Sequence, residues 1–544
     1  MTEALAPELA PSQFDSLPSV IDYIAGKHGH LPAYSCLGET ISYAEIIKKA
    51  ECFTHWLLNQ TQLQAGDRIA IQLPNVIQFP VALYGALKAD LVVVNTNPLY
   101  TAPEMQQQFV DSGVKAIVIL DSMCDKLEEI IGETDIETVI VTHLGDMHST
   151  PKRQLLNFAA RHIKKMVPSY SLPGAVEFRS TLESTPGIEG LPSTTRKGDE
   201  VALILYTGGT TGVAKGAMLS HNNLLSNMMQ LRSRCLLIMD DQQETIVAPL
   251  PLYHSYAFLL HCLTMPLAGN HNILVPDPRN IPSLIKLFRK ISITGFVGIN
   301  TLYLALLRNK DFASLDFSTL KFCGAGGMAM SSSVSEEWEQ RTGCEVIEGY
   351  GLTECSPVVA VNIPGKVKQG TVGPLVPETE ARVVNEEGTE VEQGEKGEMW
   401  VRGPQVMLGY WNRPEATNEV MDAEGWFKTG DYVQVDTDGY YSIVDRKKDM
   451  ILVSGFNVFP NEVEDWVNRH PGVLESAAVG IPNERTGEAV KLFVVKQDSN
   501  LTEAAILAHC KTGLTNYKLP REIVFASDLP KSNIGKILRK ELRS

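Results

Sequence analysis

The sequence predicts a multidomain α/β protein, with a large N-terminal domain and a small α+β C-terminal domain. With 544 residues, the chain is too long for a single hydrophobic core and should form roughly two to four globular units. Short β-branched runs alternate with helical apolar patterns over most of its length, which is typical of parallel sheets covered by helices. Beyond residue 370 the pattern changes to short strands separated by Gly, Pro and Asn, which predicts a small β-rich subdomain.

The alternation predicts two βαβ-type subdomains within the N-terminal domain. Each predicted helix carries apolar residues at helical spacing, and each predicted strand is a short apolar run between turn residues. The expected helices cover residues 43–59, 78–88 and 102–112, and the expected strands cover 68–73, 91–95, 116–120 and 201–205.

The β-rich subdomain and the C-terminal domain follow in order. Residues 370–384, 397–403 and 440–444 predict short antiparallel strands. Strands over 476–481, 491–496 and 523–526 and a helix over 503–512 predict an α+β unit of about 100 residues. We place the boundary so that the two domains cover residues 1–447 and 448–544. From Lys447 onward the chain carries 14 Lys and Arg against 12 Asp and Glu, whereas the remainder carries 34 against 52.

Charge and cysteine usage exclude several classes of protein. A net charge of −16 argues against nucleic-acid binding, because phosphate neutralisation needs a basic surface. Nine scattered cysteines without a Cys-x-x-Cys pair indicate reduced thiols rather than a disulfide framework or a zinc site. The N-terminus lacks the pattern of a signal peptide, and no run reaches the ~18 apolar residues of a spanning helix. We therefore expect a cytoplasmic protein that is not integral to a membrane.

Residues 152–167 predict a basic amphipathic helix. One helical face would carry Leu155, Leu156, Ala159, Ile163, Met166 and Val167, and the other would carry Arg153, Arg161, Lys164 and Lys165. In an acidic protein, such a helix could lie on anionic lipid at the cytoplasmic face of a membrane. The alternative is a helix packed on the core with a solvated polar face.

A loop after the strand at 201–205 predicts nucleotide binding. It reads YTGGTTGVAKG, and its glycines, hydroxyls and lysine can surround a triphosphate. It is not a Walker loop, because no Gly-Lys-Ser/Thr ends it; the alternative is a flexible surface turn. The candidate ATP-binding residues of the loop are Tyr206, Thr207, Gly208, Gly209, Thr210, Thr211, Gly212, Lys215 and Gly216.

Four further segments join this loop. Residues 348–354 read EGYGLTE, 428–431 read KTGD, 445–464 read DRKKDMILVSGFNVFPNEVE, and 530–538 read PKSNIGKIL. In this order and spacing, the five segments resemble the adenylate-forming superfamily of acyl-CoA synthetases, luciferases and peptide-synthetase adenylation domains. The resemblance is greatest to bacterial long-chain-fatty-acid–CoA ligases and extends from about residue 20 to the C-terminus.

The resemblance implies a two-step ligase reaction, with ATP, CoA and a fatty acid as substrates and Mg²⁺ as cofactor. Lys536 is expected to contact the reacting carboxylate and the α-phosphate, because two anions must be brought together. Thr207 and Glu354 are expected to act in catalysis by holding Mg²⁺. Without the resemblance, Lys536 would be interpreted as a solvated surface residue.

The resemblance further implies that the C-terminal domain is mobile. Lys448 occupies the hinge position, and rotation about it is expected to remove Lys536 from the cleft between the two half-reactions. The same rotation would bring Ser454, Gly455 and Phe456 against CoA.

The remaining nucleotide contacts are also implied by the resemblance. Tyr350 would be the aromatic platform for adenine, Asp431 would accept the ribose hydroxyls, and Arg446 would pair with ribose or phosphate. Each has a structural alternative: a packing tyrosine, an Asx turn and an interdomain ion pair. The other residues assigned to ATP are Gly326, Glu348, Gly351 and Thr353.

Residues 251–258 form the segment that the resemblance places beside the acid. They include no acidic side chain that could hold a substrate ammonium, which favours an acid without an amine. His254 would be either a gate or a packing histidine. The residues expected to bind the acyl group are His254, Gly298, Gly324 and Ala325. Ser255 and Ala329 depart from the pattern of the ligases, which leaves the preferred chain length open.

Other functions stay open at this point. The enzyme could activate a medium-chain or aryl acid, or load a separate carrier protein instead of CoA. A regulator without catalysis is disfavoured, because Thr207, Glu354, Asp431, Arg446 and Lys536 are all retained. A luciferase-like monooxygenase is chemically possible, but no residue pattern calls for oxygen. The oligomeric state is likewise open, with a homodimer as one possibility.

Overall fold

The computed structural model describes residues 13–184, 191, 196–207, 214–532 and 535–543. Within these ranges, four β-sheets and their helices form two large α/β subdomains, a small β-rich subdomain and an α+β C-terminal unit. The predicted fold class is confirmed, and the boundary between residues 447 and 448 stays a prediction. Strands and helices are numbered below in chain order.

The first large sheet has eight strands: β1 (Pro32–Cys36), β2 (Glu39–Ser42), β10 (Thr245–Ala248), β11 (His271–Leu274), β12 (Gly295–Gly298), β13 (Phe322–Ala325), β14 (Val346–Gly351) and β15 (Val358–Val361). They lie in the order β15-β14-β13-β12-β10-β11-β1-β2. The inner strands run parallel, and the edge strands β2 and β15 run antiparallel to their neighbours.

The second large sheet has eight strands: β3 (Arg68–Gln72), β4 (Val92–Asn95), β5 (Val114–Leu120), β6 (Thr138–Thr142), β7 (Val176–Glu177), β8 (Val201–Thr207), β9 (Lys215–Ser220) and β18 (Gly409–Tyr410). They lie in the order β18-β9-β8-β4-β3-β5-β6-β7. β3 to β8 are mutually parallel, so their carboxyl ends share one edge. Their Val- and Ile-rich runs are buried because helices cover both faces.

The small subdomain is a four-stranded antiparallel sheet of β16 (Glu380–Val384), β17 (Lys396–Arg402), β19 (Phe427–Val435) and β20 (Tyr441–Arg446). Of the strand predicted over 370–384, only 380–384 forms. Gly370 and Gly373 have φ values of 76° and 81°, and a Cβ on Gly373 would lie 2.2 Å from the Asn362 nitrogen. The preceding residues therefore turn instead of extending.

The C-terminal sheet contains β21 (Ile451–Val453), β22 (Phe456–Val458), β23 (Val473–Asn483), β24 (Gly487–Lys496) and β25 (Glu522–Ala526). β24 is paired with β21, β23 and β25. Ile451, Val463, Leu492 and Ile506 belong to a hydrophobic core that is separate from the core of the large sheets. This region therefore packs as its own unit.

The α-helices lie on the faces of the sheets. Several begin with capping boxes, as at Ser42 with Glu45 and at Thr101 with Glu104. The α-helices are α1 (Leu17–His28), α2 (Tyr43–Gln60), α3 (Gln78–Lys88), α4 (Ala102–Ser112), α5 (Cys124–Ile130), α6 (Lys152–Phe158), α7 (Phe178–Thr181), α8 (His221–Cys235), α9 (Ser255–Ala257), α10 (Met265–Leu267), α11 (Ile281–Lys290), α12 (Asn300–Leu307), α13 (Ser332–Thr342), α14 (Pro414–Val420), α15 (Pro460–Asn468), α16 (Glu503–Cys510) and α17 (Arg539–Leu542). Within the described ranges, none combines the length and apolarity needed to cross a bilayer.

The helix predicted over 152–167 is shorter in the structure. α6 ends at Phe158 and continues as one π-helical stretch, Ala159–Ile163. Leu155, Phe158, Ile163 and Met166 are 66%, 57%, 67% and 52% exposed. Of the predicted apolar face, Leu155, Ile163 and Met166 are exposed, whereas Leu156, Ala159 and Val167 are half-buried, so the lipid-facing helix and the core-packed helix both stay predictions.

Candidate active site

A cleft of about 1420 Å³ is lined by the carboxyl edges of the two large sheets, the β-rich subdomain and the C-terminal tail. Ligands of α/β proteins bind at such edges, where loops leave parallel strands. The predicted site residues that line it are Tyr206, Thr207, Lys215, His254, Ala325, Gly326, Tyr350, Gly351, Thr353, Glu354, Asp431, Arg446, Lys448 and Lys536. Gly208, Gly209, Thr210, Thr211 and Gly212 lie outside the described residues.

Tyr350, Asp431 and Arg446 meet on one side of the cleft, which we call the nucleotide wall. Tyr350 on β14 donates its hydroxyl to Asp431 Oδ2 at 2.6 Å. Arg446 Nε lies 3.4 Å from Asp431 Oδ1, because the register of β19 and β20 places the two residues opposite each other. A carboxylate beside an aromatic ring can accept ribose hydroxyls while the ring stacks on a base.

Glu354, Thr207, Lys215 and Tyr410 also line the cleft. Tyr410 donates its hydroxyl to Glu354 Oε1 at 2.8 Å, and Lys215 Nζ lies 5.1 Å from the centre of the Tyr410 ring. Burial raises the pKa of Glu354, against the opposing effects of the Tyr410 hydrogen bond and the charge of Arg446. Thr207 Oγ1 donates to the carbonyl oxygen of Lys215 at 3.4 Å.

A desolvated carboxylate and a threonine hydroxyl in the lining of one cleft fit Mg²⁺ in its usual protein setting. The ion prefers one or two carboxylates plus phosphate oxygens and waters to a cage of protein ligands. In the part of the chain that the structure describes, no group of three or more His, Cys, Asp or Glu side chains could hold a metal by itself. The donor set of Glu354 and Thr207 therefore fits an ion that arrives with phosphate.

Lys536 enters the cleft from the C-terminal tail. The preceding Gly535 has a φ of 77°, and a Cβ there would lie 2.5 Å from Ile299 Cδ1 and 2.8 Å from Thr301 Oγ1. Glycine therefore lets the tail approach the N-terminal domain closely. Burial, followed by the charge of Arg446, lowers the pKa of Lys536 to about 8. A cation in this position is stabilised when anions bind beside it.

Apolar side chains line the part of the cleft near His254, which we call the apolar pocket. Burial, followed by the charge of Lys536, lowers the pKa of His254 to about 4, so its ring is neutral at pH 7. The side chains that define the pocket are Leu231, Cys235, Tyr256, Leu260, Phe322 and Ile347. None is a carboxylate, so the pocket suits an uncharged substituent.

Gly298 and Gly324 do not line the cleft. A Cβ on Gly298 would lie 3.1 Å from the rings of both Phe296 and Tyr303, and one on Gly324 would lie 3.1 Å from the Tyr256 hydroxyl oxygen. These glycines let aromatic side chains pack closely against the sheet. Gly324 therefore affects the pocket indirectly, by leaving room for the Tyr256 side chain.

Glu348 and Gly216 lie behind the lining residues. Glu348 Oε2 accepts a hydrogen bond from the Met330 nitrogen at 2.6 Å, and burial raises the pKa of Glu348 to about 8. A Cβ on Gly216 would lie 2.7 Å from Ile204 Cγ2 and 3.1 Å from the Tyr206 ring. Both residues support the wall of the cleft from outside.

Ser454, Gly455 and Phe456 also lie away from the cleft. Ser454 and Gly455 form the turn between β21 and β22, with φ values of 53° and 81°, and Phe456 is the first residue of β22. Phe456 is 55% exposed and stacks on Tyr517 with 4.8 Å between ring centres. In this structure the tail that carries Lys536 faces the cleft, and this turn does not.

Two stretches of the chain match known family descriptions. Residues 21–411 match the AMP-binding enzymes, and residues 462–536 match the C-terminal domain of AMP-binding enzymes. The chain belongs to the AMP-binding enzyme family. The predicted membership of the adenylate-forming superfamily is thereby confirmed.

Curated relatives of this AMP-binding enzyme match over nearly its whole length. A long-chain-fatty-acid–CoA ligase of Salmonella typhimurium is 46% identical, with 98% of this chain and 95% of the relative covered. A protein of the same name from Bacillus subtilis is 34% identical, with the same coverage of the two chains. The predicted similarity to bacterial long-chain-fatty-acid–CoA ligases is confirmed.

Solved structures of AMP-binding enzymes share the fold. ATP-bound MatB from Rhodopseudomonas palustris is 29% identical, with a TM-score of 0.84 and coverage of 97% of this chain and 98% of that one. The anthranilate CoA ligase AuaEII, in complex with anthranoyl-AMP, has a TM-score of 0.87 at 23% identity, with 98% of each chain covered. The second likeness concerns the fold alone.

Tyr410 and Asp111 are parts of this AMP-binding enzyme that the sequence did not predict. Tyr410 reaches Glu354 because β18 pairs with β9, directly after the glycine-rich loop. Asp111, near the end of α4, accepts a hydrogen bond from the Tyr206 hydroxyl at 2.7 Å and forms an ion pair with Arg413. It therefore anchors the first residue of the loop. A lone Tyr or Asp outside the recognised segments carries no signal that would have identified it.

Proposed function

We propose that this AMP-binding enzyme is a long-chain-fatty-acid–CoA ligase, which converts ATP, a fatty acid and CoA into acyl-CoA, AMP and diphosphate. The observation that carries the proposal is the common cleft, in which Lys536 accompanies the nucleotide wall and an apolar pocket without a carboxylate. An identity of 46% to bacterial ligases of that name supports the same substrate class.

In the first half-reaction, a carboxylate oxygen of the fatty acid attacks the α-phosphorus of ATP. The bond from that phosphorus to the bridging oxygen breaks, diphosphate leaves, and an acyl-adenylate forms. The Lys536 ammonium offsets the negative charge of the two reactants as they approach. Tyr350 and Asp431 hold the nucleoside, so that the α-phosphorus stays in line with the attacking oxygen.

Glu354 and Thr207 are the residues that would hold Mg²⁺ together with the phosphates of ATP. Bound there, the ion neutralises phosphate charge. The Tyr410 hydroxyl fixes the orientation of the Glu354 carboxylate through its 2.8 Å hydrogen bond.

In the second half-reaction, the sulfur of CoA attacks the carbonyl carbon of the acyl-adenylate after the thiol has lost its proton. The carbon–oxygen bond to the phosphate breaks, and AMP leaves as the thioester forms. We propose that residues 448–544 rotate about Lys448 relative to residues 1–447 between the two steps. The exposed turn of Ser454, Gly455 and Phe456 would then replace Lys536 at the cleft.

The proposal is tested by measuring AMP release with Mg-ATP, with and without CoA, across saturated acids from butanoic to octadecanoic acid. We expect CoA-dependent release that is greatest with the long acids. Ferulic and benzoic acids belong in the series, because a feruloyl-CoA synthase is also 32% identical to the chain. A maximum with medium-chain or aryl acids would keep the chemistry and overturn the substrate. Diphosphate exchange without CoA turnover would point to a separate carrier protein as acceptor.

The role of Lys536 is tested by separating the half-reactions. We expect Lys536→Ala to reduce adenylate formation about 10²- to 10³-fold, as expected for the loss of a charge that stabilises the transition state. The same variant should convert supplied acyl-adenylate and CoA to thioester at nearly the wild-type rate. An equal loss in both assays would contradict the assignment.

We also propose that the enzyme contacts membranes peripherally, because its substrate partitions into them.

A further inference from the structure

Residues 152–166, which we call the surface segment, expose an unusual amount of apolar surface. They comprise α6, the π-helical stretch and three following residues. Leu155, Phe158, Ile163 and Met166 are each more than half exposed. Single exposed apolar side chains are ordinary, but a cluster on one short segment indicates an interaction surface.

The same segment is strongly basic. Between Met147 and Val176 the chain contains five Lys and Arg and no Asp or Glu, whereas the whole protein has a net charge of −16. Arg161, Lys164 and Lys165 are exposed beside the apolar side chains. Arg161 also lies 3.9 Å from Asp121, a distant ion pair that leaves 48% of the Arg161 side chain exposed.

Contacts on the inner side hold the segment with its apolar face outward. Asn157 Oδ1 accepts a hydrogen bond from the Gly145 nitrogen at 2.7 Å, and Ala160 is buried. A Cβ on Gly145 would lie 2.8 Å from the carbonyl oxygen of Arg153. The helix is therefore packed directly on the loop that follows β6, and Leu156 is half-buried on that side.

The position of the segment relates it to the cleft. Gly145 lies three residues beyond the carboxyl end of β6. Asn95 and Asn97, which line the cleft, lie at the carboxyl end of β4 in the same sheet. Only β3 and β5 separate β4 from β6, which corresponds to about 15 Å across the sheet. The segment thus flanks the edge at which the substrates bind.

We propose that the surface segment docks the enzyme on anionic lipid, with Leu155, Phe158, Ile163 and Met166 among the acyl chains and the cations at the headgroups. The proposal rests on the proposed function, in which the substrate is an amphiphile that resides in membranes. Apolar side chains with flanking Lys and Arg are the pattern of interfacial segments. A second copy of the chain fits less well, because two facing segments would bring like charges together.

The experiment is sedimentation of the full-length enzyme with vesicles of phosphatidylglycerol and phosphatidylcholine, and with phosphatidylcholine alone. The wild type should bind the anionic vesicles more tightly, and added salt should weaken that binding. We expect Lys164→Glu/Lys165→Glu and Phe158→Ser/Ile163→Ser each to weaken binding about tenfold or more. These side chains are exposed, so the melting temperature should stay within a few degrees of wild type.

Two matched variants serve as controls. Lys48→Glu/Lys49→Glu reverses two adjacent charges on α2, and Leu236→Ser/Leu237→Ser removes two apolar side chains that are 42% and 54% exposed elsewhere. Both should bind vesicles nearly as the wild type does. Equal weakening in test and control variants would overturn the proposal, because bulk charge or general hydrophobicity would then explain the binding. So would a wild type that fails to bind anionic vesicles.

Light scattering distinguishes a subunit interface from a lipid surface. If Phe158→Ser/Ile163→Ser converts a dimer into a monomer, the segment contacts a second chain and the proposal is wrong.

AMP release with decanoic acid below its micellar concentration, without vesicles, should be the same in all four variants and the wild type. Because vesicle binding is measured without substrate, failure of the ligase assay and failure of docking are separate results.

Discussion

The nucleotide wall and the C-terminal tail hold their functional groups in different ways. On the wall, Tyr350 and Asp431 lie in strands, are hydrogen-bonded to each other at 2.6 Å, and have Arg446 placed by strand register. Lys536 lies on a tail outside any strand and contacts the N-terminal domain through Gly535. In the part of the chain that the structure describes, no hydrogen bond holds Lys536 Nζ, whereas its backbone nitrogen donates to Ser532 Oγ at 3.1 Å.

In the proposed mechanism, this contrast lets one cleft serve two reactions. The sheet organises the nucleotide site, which both proposed steps use. Lys536, which is proposed to serve the first step alone, is placed by a close contact that can break without disturbing a core. The predictions that follow test whether the two regions are independent in this way.

The largest effect is expected from Gly535→Ala. The added Cβ would contact Ile299 Cδ1 and Thr301 Oγ1, and the φ of 77° also disfavours alanine. Displacing Lys536 by about 1 Å should slow adenylate formation roughly hundredfold. Thioester formation from supplied acyl-adenylate should be nearly unchanged. Fixed-time assays of each half-reaction measure both rates.

Two companion variants sharpen this prediction. Gly439→Ala carries the same backbone strain, with a φ of 81°, but no atom lies within 4 Å of its Cβ position, so it should spare both steps. Ile299→Val removes Cδ1 and should partly restore Gly535→Ala. If Gly535→Ala slows both half-reactions equally, the tail and the wall are not independent.

An intermediate effect is expected from Tyr350→Phe, which keeps the ring and removes the hydroxyl that bonds to Asp431. Hydrogen bonds to charged groups contribute about 1.5–3 kcal/mol, so KM for ATP should rise tenfold or more. Tyr440→Phe is the control, because its hydroxyl donates to the Lys366 carbonyl oxygen at 2.9 Å outside the cleft. A change in the fatty-acid KM alone would show that Tyr350 serves the acyl group instead.

The smallest effect is a roughly twofold loss of activity as the pH approaches 8. The pKa of Lys536 is lowered to about 8, so the required ammonium is present below pH 8 and is lost as the pH rises through that value. In the free enzyme, kcat/KM for ATP in adenylate formation should halve near pH 8 and then fall about tenfold per pH unit. Lys536→Arg should be slower but flat to pH 10, because arginine stays protonated. A wild-type profile that is also flat would contradict the pKa assignment.

Much of the fold could be predicted because apolar periodicity is a local signal. The helices at 78–88 and 102–112 agree with α3 and α4 to the residue. The hairpin β21–β22 and the helix α15 were not predicted as elements. Both are short. α15 buries Pro460, Val463, Glu464 and Val467 at helical spacing, but a proline and a glutamate at two of these positions hide the apolar pattern in the sequence.

The candidate site was predictable where its residues lie in recognisable segments. Tyr350, Glu354, Asp431 and Lys536 do line one cleft. Tyr410 and Asp111 were missed because their partners, Glu354 and Tyr206, are 56 and 95 residues away in the chain. Gly298 and Gly324 were predicted to bind the acyl group but do not line the cleft. A glycine permits close approach either by a ligand or by an aromatic ring of the protein, and the sequence does not distinguish the two cases.

Cys235 has a consequence for the selectivity of the chemistry. An acyl-adenylate acylates thiolates, and this sulfur lies in the wall of the pocket proposed to receive the acyl chain. Burial raises the pKa of the Cys235 thiol to about 12, so at pH 7 only about one molecule in 10⁵ carries the nucleophilic form. All nine cysteines of the chain are buried and unpaired. By keeping the Cys235 sulfur protonated, the protein leaves the activated intermediate to the thiol that arrives from solution.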